Sequence, residues 1–261
     1  MPSPGPQQGE DRKPEMETIA PATAPVLLEN VGYRIGEIPV LSGISLCSDA
    51  MRIGIIGRNG SGKSTLARLI AGLLEPEPGR IRIEDVDMFK DRRAAIRTVG
   101  ILFQNPEHQI IFPTVAEEIG FGLRQLGQNK QDAETGALAM LTGFGKAHWK
   151  DAPIHALSQG QKHLVCMMSV LAMRPRLLVL DEPFAGLDIP TRMQLTRQLN
   201  ASGTRLLHIS HDTRDLEGYD QVYWLDAGRI RASGPPAQLL RDFTNEMTRI
   251  GGGDDLSHLA S

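Results

Sequence analysis

The chain has 261 residues, of which 41% are hydrophobic, enough for one large or two small domains around a packed core. A formal net charge of −3 with interspersed signs argues against a nucleic-acid binder built on a basic face. The most apolar run, residues 164–173, has about half the length that crosses a bilayer, so any membrane role is expected to be peripheral.

In chain order, residues 1–25 combine prolines and charges without the apolar core of a signal peptide and are expected to form a disordered leader. Short β-type runs follow at residues 27–31, 44–47, 53–56, 81–83 and 99–103, a sheet-rich first half. From 114 to 141 the spacing becomes helical, with Glu117 and Glu118 amid apolar residues and a second helix over 132–141. This section reads as an inserted helical subdomain over about residues 105–170. The run 159–173 suffices for about four helical turns, is apolar on most sides and is therefore expected to be buried, with Pro175 ending it.

Strand 177–180, helix 192–199, strand 205–209 and a short helix from Thr213 follow in βαβ order, which predicts a mainly parallel sheet with the site at its carboxyl ends. Residues 222–225 and 229–232, joined through Asp226, Ala227 and Gly228, predict a closing hairpin. The folded domain is expected over 26–245, and a flexible tail over 246–261. Cys47 and Cys166 stand far apart with no partner motif, which fits a reducing compartment and ordinary packing roles.

The chemistry concentrates at Gly57, Arg58, Asn59, Gly60, Ser61, Gly62, Lys63, Ser64 and Thr65, a glycine-rich loop between an apolar strand and a helix. The glycines let backbone N–H groups close around phosphates, and the helix adds its positive dipole end. Lys63 neutralises phosphate charge, while the Ser64 hydroxyl can ligate magnesium. Such a cradle implies binding and hydrolysis of a nucleoside triphosphate. Asp181 and Glu182 end an apolar strand, as phosphoryl transfer requires of a metal-side acid followed by a base that orients water. His211 and Gln104 also follow strands and could reach a γ phosphate, the magnesium shell or the attacking water. Ser210, His211 and Asp212 are adjacent in sequence, so they cannot form a hydrolase triad.

Together these residues resemble the ATP-binding cassette ATPases, the motor subunits of ABC transporters, over about residues 26–240. The resemblance implies an α/β fold: a P-loop NTPase core with a mainly parallel sheet, an antiparallel β subdomain and an inserted helical subdomain. It implies ATP and Mg2+ as cofactors, with Ser64, Gln104 and Asp181 on the metal, Glu182, His211 and Gln104 in catalysis, and Tyr33 stacked on adenine. Leu157, Ser158, Gln159, Gly160 and Gln161 match the family signature, with Gln159 where glycine is usual; residues 185–188, ending in Asp188, match its D-loop. In that family Ser158 and Gly160 would contact the γ phosphate held by the opposite subunit, which implies a homodimer or an unlike ATPase pair and no nucleic acid.

Residues 103–109, ending in Gln109, and 114–122 are similar to the energy-coupling-factor branch of importers. That branch implies a transmembrane coupling protein, a small substrate-binding membrane protein, and a peripheral place on the cytoplasmic face of the cell membrane. The Ser-Gln-Gly-Gln signature, the run 164–168 and the short stretch after Leu240 look most similar to dedicated, homodimeric biotin-system ATPases. Cobalt or nickel systems are the alternative cargo. Soluble ABC ATPases of translation or repair are the rival class, but those usually carry two cassettes or long coiled-coil insertions.

Overall fold

The computed structural model describes residues 25–252. All but the last residue of the expected leader, and residues 253–261 of the expected tail, lie outside them. The elements run β1 (Val26–Ile35), β2 (Ile38–Ser48), β3 (Arg52–Ile56), α1 (Lys63–Ile70), β4 (Arg80–Ile83), β5 (Val86–Asp87), α2 (Arg92–Thr98) and β6 (Val99–Leu102). Then come α3 (Val115–Gln125), α4 (Lys130–Gly143), α5 (Gln159–Ala172), β7 (Leu177–Asp181), α6 (Ile189–Ala201), β8 (Arg205–Ser210), β9 (Gln221–Asp226), β10 (Arg229–Gly234) and α7 (Pro236–Gly251).

Two sheets organise these elements. One is antiparallel, in the order β2-β1-β4-β5; the other runs β10-β9-β3-β8-β7-β6 and is parallel except for the β9–β10 hairpin. β3 lies between β8 and β9, with connections leaving to either side, and a crevice at the carboxyl end of such a strand is where open α/β sheets bind ligands. β7 is buried at every residue, as its uninterrupted apolar sequence demands of a parallel strand covered on both faces. Its alternation sorts the two cores. Leu177 and Val179 pack with Leu66, Leu69 and Ile70 of α1 and with the antiparallel sheet, whereas Leu178 and Leu180 meet α3, α5 and α6.

α5 is buried continuously from His163 to Leu171 because it is covered by α3 and α4 on one side and by the sheet on the other. It therefore belongs to the helical subdomain and to the sheet core at once, and it runs past the expected limit near residue 170. A capping box opens it: Ser158 accepts from the Gln161 N–H while the Gln161 side chain accepts from the Ser158 N–H.

Other elements also differ from expectation. α6 starts at Ile189 rather than Arg192, because Asp188 caps it through the Thr191 N–H and Pro190 suits its first turn. α2 is an additional helix, nucleated by Asp91, whose side chain accepts from the Arg93 and Ala94 N–H groups. α7 carries the chain past residue 245 as helix up to Gly251. Its Leu239, Leu240 and Phe243 bury against Ile56, Val222 and Trp224, and Glu246 pairs with Arg231 at 3.2 Å.

Candidate active site

The loop after β3 is shaped at Gly57 and Gly62 by contacts that leave no room for a side chain. A Cβ at Gly57 would collide with the Leu225 carbonyl oxygen and lie 2.7 Å from Ser61 Oγ. Gly62, at φ +98°, adopts the left-handed conformation that turns the chain into α1. Gly57→Ala is therefore expected to destabilise the fold by about 1–3 kcal/mol and to open the loop. Thermal melting with and without ATP checks this, since a retained melting temperature and ATP-induced shift would contradict the packing.

Lys63 heads α1 with its side chain folded back under the loop. Its Nζ donates to the Gly57 and Arg58 carbonyl oxygens, both at 2.9 Å, and lies 3.8 Å from Glu182 Oε1. Burial pulls the ammonium below the usual lysine range, and the Glu182 and Asp181 carboxylates push it back up. Ser64 Oγ donates to Asp181 Oδ1 at 3.1 Å, joining the start of α1 to the end of β7. Burial raises the Asp181 carboxyl, against the Ser64 hydrogen bond that holds it down.

Glu182 is buried and adopts φ +51°, a sparsely populated conformation for a non-glycine residue, fixed by its N–H bond to Ile209 O at 3.0 Å. That backbone turn swings its carboxylate from the line of β7 towards β8. Oε2 there meets His211 Nδ1 at 2.8 Å. One cleft of about 440 Å³ is lined by Val40, Asn59, Gly60, Gly62, Lys63, Ser64, Thr65, Gln104, Glu182 and His211. Gly57, Ser61 and Asp181 are buried and do not line it; Asp181 reaches it through Ser64.

The other expected residues stand apart from this cleft. Tyr33 is half-buried on β1 opposite Leu41, the neighbour of cleft-lining Val40, and is not itself in the lining. Ser158, Gln159 and Gln161 are exposed at the start of α5, with Gly160 packed closely on Thr191 of α6. Asp188 is spent on capping α6. Signature and D-loop are thus neighbours of each other, not of this chain's own phosphate loop. Gln109 accepts from the Phe103 N–H at 3.3 Å and so braces the backbone beside Gln104 rather than entering the cleft.

The donors beside the phosphate loop suit magnesium. A buried carboxylate and a hydroxyl stand side by side at Asp181 and Ser64, two hard oxygen ligands of the kind Mg2+ takes while keeping phosphate oxygens and water for the rest of its shell. Among the described residues no group of three or more His, Cys, Asp or Glu is placed to hold a metal. The pair fits an ion shared with a phosphate ligand, not a protein-only cage.

Residues 42–185 match the ABC transporter family. The chain is 48% identical over 211 residues to the biotin transport ATP-binding protein BioM of Rhodobacter capsulatus, covering 81% of this chain and 90% of the relative. It is 37% identical over 212 residues to the energy-coupling factor transporter ATP-binding protein EcfA of Methanothermobacter thermautotrophicus, covering 78% and 68%. The structure of cbiO1 from Clostridium perfringens, part of the ABC transporter complex cbiONQ, superposes with a TM-score of 0.70 at 28% identity, covering 88% and 98%.

Proposed function

The chain belongs to the ABC transporter family, and from that premise we propose that it is the ATP-hydrolysing motor of an energy-coupling-factor importer whose cargo is biotin. The observation that carries the ATPase reading is the convergence of Lys63, Ser64, Gln104, Glu182 and His211 on one cleft from separate elements. The cargo rests on the 48% identity to a biotin transport ATP-binding protein.

The loop from Gly57 to Gly62 presents backbone N–H groups to the β and γ phosphates, and Lys63 exchanges its carbonyl partners for phosphate oxygens. Ser64, Asp181 and Gln104 would hold a magnesium ion, which when bound would supply positive charge against the charge that develops on the phosphates. Glu182 orients a water in line with the γ phosphorus and takes its proton as the new P–O bond forms and the bond to the ADP oxygen breaks. His211, which lines the cleft beside Glu182, offers a ring N–H to the γ phosphate once Glu182 has turned to the water.

Because the signature lies outside the chain's own cleft, Ser158 and Gly160 of the partner subunit complete the site in an ATP-held dimer. Each nucleotide then links two copies, so closure requires ATP and hydrolysis releases it. Tyr33 stacks on adenine at the margin next to Val40. No helix among the described residues is long and apolar enough to cross a membrane. As a motor of the importer class proposed here, the chain works from the cytoplasmic face through a transmembrane coupling protein, which docks near residues 104–121, where Ile111 is 68% exposed; a small membrane protein binds the substrate.

Purifying the tagged chain from mildly solubilised native membranes and identifying by mass spectrometry what accompanies it tests this reading. Two membrane proteins with bound biotin are expected. Cobalt or nickel in place of biotin would overturn the cargo alone, and recovery of only soluble partners would overturn the importer.

A further inference from the structure

Behind the catalytic carboxylate lies a cluster that the mechanism above does not use. Asp215, in the turn after β8, is 7% exposed on its side chain. One of its carboxylate oxygens is hydrogen-bonded to the Arg192 guanidinium, and the other accepts from Ser210 Oγ at 2.7 Å. Ser210 Oγ in turn accepts from the Asp212 N–H at 3.0 Å, so it holds the backbone on both sides of His211.

Arg192 reaches this point from the first turn of α6, where its N–H donates to Asp188 O at 3.0 Å. Its guanidinium lies 5.1 Å from the ring centre of Phe184, two residues after Glu182. The Phe184 ring meets buried His208 edge-on at 5.4 Å, and His208 Nδ1 pairs with Tyr219 Oη at 2.8 Å. Arg192 thus touches both the segment that carries the base and the turn that carries His211.

The geometry points to Arg192 and Asp215 as a positioning pair that sets the His211–Glu182 contact and thereby the rate of the hydrolytic step, without touching nucleotide. It rests on the roles given above to Glu182 and His211. The alternative is a passive surface clamp. Against that stand the burial of Asp215 and its divided bonding: one carboxylate serves α6 and the His211 turn at once. Burial raises the Asp215 carboxyl, against the Ser210 hydrogen bond and the Arg192 charge that hold it down. The guanidinium donates to one carboxylate oxygen from a terminal nitrogen while its carbon lies over the Phe184 ring, a combination that a lysine's compact ammonium does not reproduce.

The test is steady-state ATPase kinetics and melting temperature for D215N, R192K, S210A and the R192A/D215A double variant with its parents. D215N and R192K are expected to lose about ten- to a hundredfold in kcat, as for a catalytic group displaced by about an ångström, with KM for ATP within about twofold. S210A should follow with a smaller loss. The double variant should lose no more than the worse of its parents, as residues acting as one unit do. Should R192A melt below the assay temperature, the isosteric D215N carries the test, because it leaves no buried anion without its cation. Folded D215N and R192K with unchanged kcat, or with losses in KM alone, would overturn the pair. E182Q assayed alongside separates the failures: normal hydrolysis by E182Q removes the site assignment itself, whereas a stalled E182Q beside active D215N removes only this inference.

Discussion

Glu182→Gln is expected to bind ATP with near-native affinity, to hydrolyse it at least about a hundredfold more slowly, and to accumulate as an ATP-held dimer. The amide matches the carboxylate in shape, so the turn at φ +51° and the side chain's place beside His211 are retained. What is lost is the ability to take a proton from water. The 3.8 Å approach of Lys63 to Glu182 also becomes a cation–amide contact, which leaves more of the lysine's charge for phosphate and favours the bound state. Single-turnover hydrolysis, with size-exclusion chromatography in ATP, reads both effects. Near-normal turnover would remove Glu182 from the role of base. Slow turnover without dimerisation would keep the base and remove the proposal that Ser158 of the partner subunit completes the site.

The chemistry near Lys63 was legible in the sequence because it is local: an apolar strand, glycines that exclude side chains and a helix start fall within one continuous stretch, and β3, the loop and α1 follow that order. Asp181 and Glu182 could be read from the same logic, a buried parallel strand ending in acids. Their meeting with Ser64 and His211 could not, since strand order alone places β8 between β3 and β7.

Other features were hidden for identifiable reasons. α7 was missed although Leu239, Leu240 and Phe243 carry helical spacing, because its apolar stripe is narrow and has meaning only once Trp224 and Val222 are seen beneath it. The Arg192–Asp215 contact joins residues 23 positions apart on different elements, and neither residue belongs to a motif. The resemblance assigns the signature to the nucleotide of the opposite subunit; in the fold it stands at the exposed start of α5, outside the lining of the chain's own cleft.

Lys63→Ala acts a step earlier than Glu182→Gln, on binding itself. The ammonium is 7% exposed and satisfied by two loop carbonyls, so in the free protein it serves as a strut for the loop as well as a stored positive charge. Removing it leaves those carbonyls without their donor and leaves Glu182 on the cleft wall without its neighbouring cation. An incoming triphosphate then meets an unbalanced carboxylate instead of a charge-balanced cradle. Hydrogen bonds to a charged group contribute about 1.5–3 kcal/mol each, which corresponds to a loss of about ten- to a hundredfold or more in nucleotide affinity. The ATP-induced rise in melting temperature should vanish with it, because stabilisation by a ligand depends on its concentration relative to Kd. Lys63→Arg separates strut from charge: the larger guanidinium keeps the charge but cannot fold into the same space beneath Gly57, so partial binding with slow turnover is expected. Nucleotide titration of the three proteins decides the matter, and an affinity left intact by Lys63→Ala would mean that the loop after β3 is not the phosphate cradle.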